Sequence, residues 1–542
     1  MKRFAALTRV NLQMALYQLS LVRRRTGRRE GHGFQSGLLI VVVAIMVYWG
    51  FWSRMLTNSF NQVGLPWLML VIGMLIVSLL VMGLGLYSFN SLLFESADTD
   101  QLFAYPLPKL TVLAGKASGI VVENWIIGLV FWLPMVAVYG YYAHPGPLFY
   151  LFALLTLLVL PGIPLFILAL ISYLVGLLAS GGRWRKILQV VLTLGFMVAI
   201  GVGLRQAVAH LMATARLQGG AGTLQDQFFA MLQHYYPPVG YAIHALVTGS
   251  WWAMGLAVLW NVVPLVLIGV LIAASYSWIR SRITTVTRVT RGHLTYGTTT
   301  AARALYDKEL GRLLGSPMYL LNSCIGAVLT ILFAFLFSIN TGKNAEAMQQ
   351  ALQQLGITMM PIVLVAFMFL LAIANTTSPS ISLEGQNLWI VQSLPLDAKQ
   401  ILRAKLLVHL TIIPPILLIS CVLTIFTAHL TVAEAFTVFL PCLLFTIVSA
   451  CLGLVYNLHY HRFDFYNDMQ VVKNGASVLL TYGTMALTMA AATFGYWAIT
   501  HWGTMNFPLY WGAWLVVFAV AAVLLYRYLM TKGVAIFRSI SD

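Results

Sequence analysis

The sequence predicts an all-α polytopic membrane protein with about 12 transmembrane helices, arranged as two parallel six-helix repeats. Of its 542 residues, 60% are hydrophobic and only 9% are charged, whereas a soluble domain carries about 25% charged residues. Apolar runs of about 20 residues, the length that crosses a bilayer core, recur along the chain. The polar segments between these runs occur in two related copies, which predicts a duplicated membrane domain.

The duplication is visible in two polar segments, residues 91–118 and 380–407. They read SLLFESADTDQLFAYPLPKLTVLAGKAS and SISLEGQNLWIVQSLPLDAKQILRAKLL. One constant offset of about 289 residues aligns them without a gap and also relates a patch near the N-terminus to one near residue 306. The aligned identities are Glu95 with Glu384, Pro106 with Pro395, Leu107 with Leu396, Leu113 with Leu402, Lys116 with Lys405, Tyr17 with Tyr306, Leu21 with Leu310 and Arg23 with Arg312.

Residues 1–35 are predicted to form an amphipathic interfacial helix followed by a basic segment. Apolar residues recur there every three or four positions, so they share one stripe of a helix. Polar residues off that stripe favour a helix that lies in the membrane interface. The arginines that follow suit an anionic cytoplasmic leaflet. The stripe consists of Leu7, Val10, Met14, Tyr17 and Leu21.

Residues 36–278 are predicted to form the first six-span repeat. The stretch 205–250, between its fifth and sixth spans, is too polar and too often interrupted to cross a bilayer. We expect short helices at the outer interface there, broken at Pro237-Pro238. The predicted spans lie at about 36–54, 66–90, 119–142, 148–179, 187–204 and 251–278.

Residues 279–318 are predicted to be a cytosolic connector that ends in a second interfacial helix, at about 306–314. Residues 319–542 then form the second six-span repeat. Because six is even, both repeats enter the membrane in the same orientation and are parallel. The predicted spans lie at about 319–340, 356–379, 406–428, 435–456, 475–498 and 510–529.

The net charge of +17 could indicate a nucleic-acid partner, but its distribution indicates membrane topology instead. With a cytoplasmic N-terminus, almost all of the 32 lysines and arginines fall on the inner side. This asymmetry predicts that both termini and both polar segments are cytoplasmic, and that no nucleic acid is bound. The exceptions on the outer side are Arg54, Arg205, Arg216 and Lys343.

No pattern in the sequence indicates catalysis or a metal site, so we predict that the chain is not an enzyme. The glycine-lysine pairs at Lys116 and Lys343 lack the remainder of a P-loop, so ATP would have to be bound by another subunit. His459, His461 and Asp464 alternate in a loop, a pattern more typical of solvated side chains than of metal ligands. The four cysteines lie in apolar runs without CxxC spacing.

The acidic residues separate two classes of transporter. Ion-coupled carriers keep ionisable side chains in the middle of the membrane, because the coupling ion needs a site. Nearly all of the 15 acidic residues are expected in loops, and only Glu123 and Glu434 touch the ends of spans. This distribution is unfavourable for an ion-coupled carrier.

Glu95 and Glu384 stand just past the ends of apolar runs, where a helix C-terminus would repel a carboxylate. The pair therefore predicts either a continued helix or a basic partner. Each polar segment is either a topological hairpin or a stiff lever gripped by a soluble partner. The residues proposed for this coupling are Glu95, Asp98, Asp100, Pro106, Lys116, Glu384, Pro395 and Lys405.

With these features together, the chain resembles the permeases of type-2 ABC exporters, in the subset that fuses two six-span units. The resemblance is carried by the amphipathic helix of each half, by FESADTDQLFAYPLP and SLEGQNLWIVQSLPLD, and by the outer loop. It implies two separate ATPase subunits docked below residues 91–118 and 380–405, which would hold ATP and magnesium, with no cofactor in this chain. The second half lacks most of the outer loop, and Gly385 replaces Ser96, so the two docking sites are expected to differ.

The resemblance implies the permease of an ATP-driven exporter in the bacterial cytoplasmic membrane, in contact with membrane lipids. Its substrate would be amphipathic: a drug, a peptide or a lipid-like molecule. The sequence assigns no substrate-binding residue. One alternative is an ion-coupled secondary transporter with two six-span repeats, and another is a membrane-embedded enzyme that acts on lipids.

Overall fold

A computed structural model describes residues 31–62, 65–90, 108–178, 221–284, 299–316, 318–335, 359–428 and 431–540, with short gaps inside the last range and isolated positions between 188 and 202. Every regular element in these ranges is a helix. The predicted N-terminal interfacial helix and most of the predicted fifth span lie outside the described residues.

Eight helices in the described part of the chain are long and apolar enough to cross a membrane. Together they support a polytopic helical membrane protein, while the count of twelve spans in two repeats remains a prediction. They cover Thr111–Ala143, Pro147–Val175, Trp251–Tyr276, Met318–Phe335, Ala398–Ile425, Val432–His459, Ala476–Ile499 and Leu509–Ser539.

The chain divides into two compact units, built chiefly from residues 46–292 and 293–542. In the first unit, α2 packs against α3 and α5, and α8 packs against α5 and α7. The helices described up to residue 284 are α1 (Gly31–Gln62), α2 (Leu68–Asn90), α3 (Lys109–Ala143), α4 (Pro147–Val159), α5 (Gly162–Leu178), α6 (Ala221–Tyr235), α7 (Pro237–Thr248) and α8 (Trp251–Thr284).

Proline and glycine explain the breaks in the first unit. Pro147 stands at the first turn of α4, where its missing N–H is not needed. The next break follows α4 at Pro161, and a Cβ on Gly162 would meet the carbonyl oxygen of Asn261 at 2.5 Å. Asn261 also accepts the N–H of Ile163 at 3.3 Å, so one side chain of α8 supports this interruption.

The second unit is arranged around α14, which contacts α11, α13, α16 and α17. Most of its buried residues are small or apolar, with Asn457 as a polar exception, and its own Pro441 is accommodated inside the helix. The helices are α9 (Ala301–Gly315), α10 (Met318–Phe335), α11 (Met359–Ala372), α12 (Leu388–Ser393), α13 (Ala398–Ala428), α14 (Val432–His459), α15 (Met469–Val472), α16 (Ala476–Trp502), α17 (Phe507–Tyr528) and α18 (Val534–Ser539).

Close packing of α10 on α11 depends on a glycine. A Cβ built on Gly326 would lie 2.1 Å from the carbonyl oxygen of Leu370, a backbone atom that cannot turn aside. We expect Gly326→Ala to destabilise the protein by about 1–3 kcal/mol, because the two helices must separate. The measurement is the thermal midpoint of the purified protein in detergent.

Gly311→Ala is the matched control for this prediction. Gly311 lies on α9, and a Cβ there meets nothing within 4 Å. Alanine is the better helix former by about 1 kcal/mol, so this variant should be as stable as the parent or more stable. Equal midpoints for the two variants would contradict the close approach of α10 and α11.

Candidate functional site

The second polar segment begins earlier than hydropathy predicts. The span predicted at about 356–379 ends as a helix at Ala372, and residues 373–381 follow without regular helix. The sequence Asn-Thr-Thr-Ser-Pro-Ser explains this correction, because these side chains compete for backbone hydrogen bonds and the residue before proline avoids the helical region. A 3₁₀-helix (Ser382–Asn387) and α12 then lead to α13.

The side chain of Asn375 provides hydrogen-bond partners for the backbone that follows the end of α11. Its Oδ1 accepts the N–H groups of Thr377 at 2.9 Å and Ser378 at 2.8 Å. Its Nδ2 donates to the carbonyl and hydroxyl oxygens of Ser449 on α14, at 2.7 and 2.8 Å. The whole group is buried, and a buried backbone requires partners of this kind.

A second asparagine, Asn457 of α14, holds the end of the same segment. Its Oδ1 accepts the N–H groups of Ile381 at 2.6 Å and Ser382 at 3.1 Å. Its Nδ2 donates to the hydroxyl of Ser477 on α16, which itself donates to the carbonyl of Ser378 at 2.7 Å. The segment is therefore fixed to α14 and α16 by side-chain amides and hydroxyls.

Two aromatic side chains complete this support at Thr376. The Thr376 N–H donates to Nδ1 of His409 on α13 at 3.3 Å. The Thr376 carbonyl accepts the hydroxyl of Tyr319 on α10. Because the carbonyl oxygens of residues 376, 378 and 380 all accept hydrogen bonds from side chains, the interrupted segment is held rigidly.

A cluster of charges with a buried centre and a partly exposed edge, which we call the charge cluster, lies beside this segment. It consists of Lys308, Glu309, Arg312, Glu384 and Lys405. The Lys405 ammonium lies 2.9 Å from Glu384, 2.9 Å from Glu309 and 3.0 Å from the carbonyl oxygen of Ser380. These are three acceptors for its three N–H bonds. Arg312 and Lys308 reach Glu384 at 2.5 and 3.0 Å.

Burial makes this pairing obligatory. The side chains of Lys405 and Glu384 are 0% and 1% exposed, and that of Glu309 is 5% exposed. Burial alone would raise the pKa of the Glu384 carboxyl, but Lys405, Arg312 and Lys308 outweigh it and hold that pKa well below its usual range. Glu384 is therefore ionised at neutral pH, and it joins α9 to α13 through its cationic partners.

A glycine with positive φ allows Glu384 to point inward and α12 to begin directly afterwards. Gly385 has φ 58° and ψ −142°, a conformation that only glycine adopts without strain. On α12, Leu388 and Val391 face the core at 1% and 4% exposure, whereas Trp389 and Ile390 are 58% and 44% exposed. The turn thus separates a buried ionic face from an exposed apolar face.

The structure brings together some of the residues predicted for coupling. Glu384 and Lys405 are in direct contact, so Glu384 has the basic partner that was one of its two predicted explanations. Both are buried, so in this conformation neither side chain is accessible to a partner. Pro395 is exposed beside α12. Lys116 is buried at 3% exposure, within α3 rather than at its start. Glu95, Asp98, Asp100 and Pro106 lie outside the described residues.

Sequence reasoning missed most of the supporting residues. Glu309 and Lys308 have no counterparts at the repeat offset, where Ser20 and Leu19 stand, so the duplication gave no reason to single them out. His409 lies within the predicted span 406–428, and Asn457 directly follows the predicted span 435–456. A polar side chain in an apolar span usually faces protein rather than lipid, and that signal could have identified them.

The other candidates have structural partners. His459 contacts Val455 and Tyr528 through its two ring nitrogens, while Asp464 lies outside the described residues. In the described part of the chain no three possible metal ligands cluster. Glu434 forms a capping box with Thr431 at the start of α14. The four cysteines are buried and unpaired.

The fold and composition define the class, a helical membrane protein that crosses the bilayer several times. Comparison with known proteins finds no matching family model, no matching characterised protein and no matching solved structure. A function for this chain therefore has to be inferred from its own residues and their geometry.

Removing Lys405 should be far more damaging than removing Lys308. Lys405→Met leaves two buried carboxylates without their central cation, and breaking a buried pair typically costs about 3–5 kcal/mol. Lys308 is 35% exposed, so Lys308→Met should cost less than about 1 kcal/mol. Thermal midpoints of the purified variants test this, and equal losses for both would show that the buried pairing is not decisive.

The charge cluster also predicts a specific pH dependence. Because the pKa of Glu384 is lowered by folding, its stabilising effect is complete above the unfolded pKa of about 4.3 and is lost as pH falls below that value. The thermal midpoint of the parent protein should exceed that of Glu384→Gln by a constant amount between about pH 5 and 8. This difference between the two thermal midpoints should become smaller below about pH 4. If the difference between the two thermal midpoints were already becoming smaller at pH 6, the lowered pKa of Glu384 would be contradicted.

Proposed function

We propose that the chain is the permease subunit of an ATP-driven ABC exporter that moves an amphipathic substrate out of the cell. ATP and magnesium would be held by two separate ATPase subunits. The observation that carries this proposal is an exposed apolar surface on a segment that is fixed internally by buried charges. That combination suits a lever, since force applied at the surface reaches the membrane helices through rigid contacts.

The proposed docking surface consists of Trp389, Ile390 and Leu394, with Pro395 beside them. The three large apolar side chains are 58%, 44% and 47% exposed. The segment is predicted to be cytoplasmic, where an exposed tryptophan with aliphatic neighbours is typical of a protein-binding surface. A soluble ATPase subunit is the occupant that the resemblance implies.

Force on this surface would reach the membrane through the charge cluster. Glu384 lies immediately before Gly385 and α12, and it contacts Lys405 on α13 and Arg312 on α9. α9 in turn packs against α13. In the proposed cycle, ATP binding draws the ATPase subunits together, and α12, α9 and α13 move with them.

The alternative, an ion-coupled secondary transporter, is favoured by one observation. Interrupted helices with polar backbone often form ion sites in such carriers, and residues 373–381 are interrupted and buried. Two findings weigh against it. Several carbonyl oxygens of this segment already accept side-chain hydrogen bonds, and the Lys405 ammonium already occupies the point where Glu309, Glu384 and the Ser380 carbonyl meet.

The test is to purify the full chain, with its associated proteins, from the membranes of its own host and to measure ATP hydrolysis. We expect magnesium-dependent hydrolysis to accompany the parent chain. The variant Trp389→Asp with Leu394→Asp should lose most of it, because charges on an apolar docking surface oppose binding. The permease itself should keep its thermal midpoint, since both side chains are exposed.

Val432→Asp is the matched control for this experiment. Val432 is also an exposed apolar residue, at 62%, but it begins α14 on the predicted outer side. This variant should retain the associated hydrolysis. Two results would contradict the proposal: a parent chain without associated ATP hydrolysis, or substrate transport by the purified chain alone that an ion gradient drives without ATP.

A further inference from the structure

The end of the chain is linked to α12 by the side chain of Gln392 and by a buried apolar cluster to which both elements contribute. α17 continues as a five-residue π-helix, Leu529–Gly533, and then as α18. Phe537 and Leu529 are 1% and 0% exposed and belong to the same buried apolar cluster as Leu388 and Val391 of α12. Residues 529–540, which we call the C-terminal brace, therefore share one buried apolar cluster with the core-facing residues of α12.

One side chain connects the two elements by hydrogen bonds. Nε2 of Gln392, on α12, donates to the carbonyl oxygens of Phe537 at 2.9 Å and Ile540 at 3.1 Å. The last carbonyls of a helix have no partners within that helix, so Gln392 supplies the donor that the end of α18 requires. A second link, between Asp397 and Arg538 at 3.4 Å, is exposed and correspondingly weak.

The length of α12 explains why it needs this support. With only six residues, it is far shorter than the 12–15 residues at which an isolated helix becomes even marginally stable. Its position must therefore come from tertiary contacts. On the side away from its exposed face, these are the charge cluster at its start, the apolar cluster beneath it and the hydrogen bonds of Gln392.

We infer that the C-terminal brace positions α12 for its soluble partner and that Gln392 is the positioning residue, an inference that rests on the proposed function. Without the two hydrogen bonds, α12 would lose its fixed orientation while the membrane helices kept theirs. The exposed residues Trp389 and Leu394 would then no longer form one constant surface.

The test measures hydrogen–deuterium exchange of the full-length purified chain in lipid nanodiscs. Gln392→Ala should raise exchange about fivefold to tenfold in residues 388–394 and 534–540 together, the effect of losing about one net hydrogen bond. Residues 445–457 of α14 should be unchanged. Gln392→Glu keeps the size of the side chain but places a carboxylate against two carbonyl oxygens, so it should give at least as large a rise.

Gln400→Ala is the matched control, since Gln400 is an exposed glutamine on α13 close to α12. It should leave exchange in both segments at the parent value. Unchanged exchange in both Gln392→Ala and Gln392→Glu would contradict the inference that the C-terminal brace positions α12. So would a rise confined to residues 534–540, because α12 would then be held by other contacts.

ATP hydrolysis by the complex purified with each variant separates this inference from the proposed function. We expect Gln392→Ala to lower hydrolysis at least threefold without lowering the thermal midpoint of the membrane helices. If exchange rises as expected but hydrolysis equals that of the parent, the positioning role is wrong. If exchange rises but the parent complex hydrolyses no ATP, the proposed function fails while the brace remains as a structural contact.

Discussion

The second unit depends on the ammonium group of Lys405. A cation taken out of water loses a large solvation energy, and only well-placed acceptors can replace it. Glu309 provides one of those acceptors from α9, and Glu384 and the Ser380 carbonyl provide the others from the segment that follows α11. If any of the three moved away, the buried ammonium would lose one of its acceptors. The position of α9, the course of the interrupted segment and the start of α12 are thus set by one side chain of α13.

The repeat pattern in the sequence singled out several of these charged residues without predicting that they would be in contact. Arg312, Glu384 and Lys405 are among the residues that recur at the constant offset, and the structure places them in one cluster. A pattern of identities shows that residues matter, but it does not show that they touch. Contact among them depends on where α9 packs, and amphipathic spacing alone predicts only a helix at a surface.

Hydropathy located the described spans but not the end of α11 or the exposed face of α12. The run from Ile373 to Ser380 is short beside a whole span, so an average over the span hides it, whereas the backbone responds to the hydrogen bonds that its asparagine, threonine and serine side chains offer. On the two sides of Gly385 the usual order is reversed: Glu384, before it, is buried, and Trp389, after it on α12, is exposed. Paired charges tolerate burial, so residue type alone could not assign the two faces.

The two halves differ at positions that the predicted repeat would make equivalent. α2 is helical through Asn90, whereas the equivalent stretch after Ala372 is not. At the offset positions Asn457 is matched by Leu168, and His409 by Ile120. Both of these apolar residues are buried.

Asn375 and Asn457 accept buried backbone N–H groups of the interruption, so losing either side chain would leave those groups unpaired. Lys116, in contrast, is as buried as its counterpart Lys405. Among the described residues, the two halves therefore share a buried lysine at equivalent positions, while the interruption belongs to the second half. A force on the first polar segment would act on the continuous helix α2. An equal force on the second polar segment would act on an interrupted segment that side-chain hydrogen bonds hold in place.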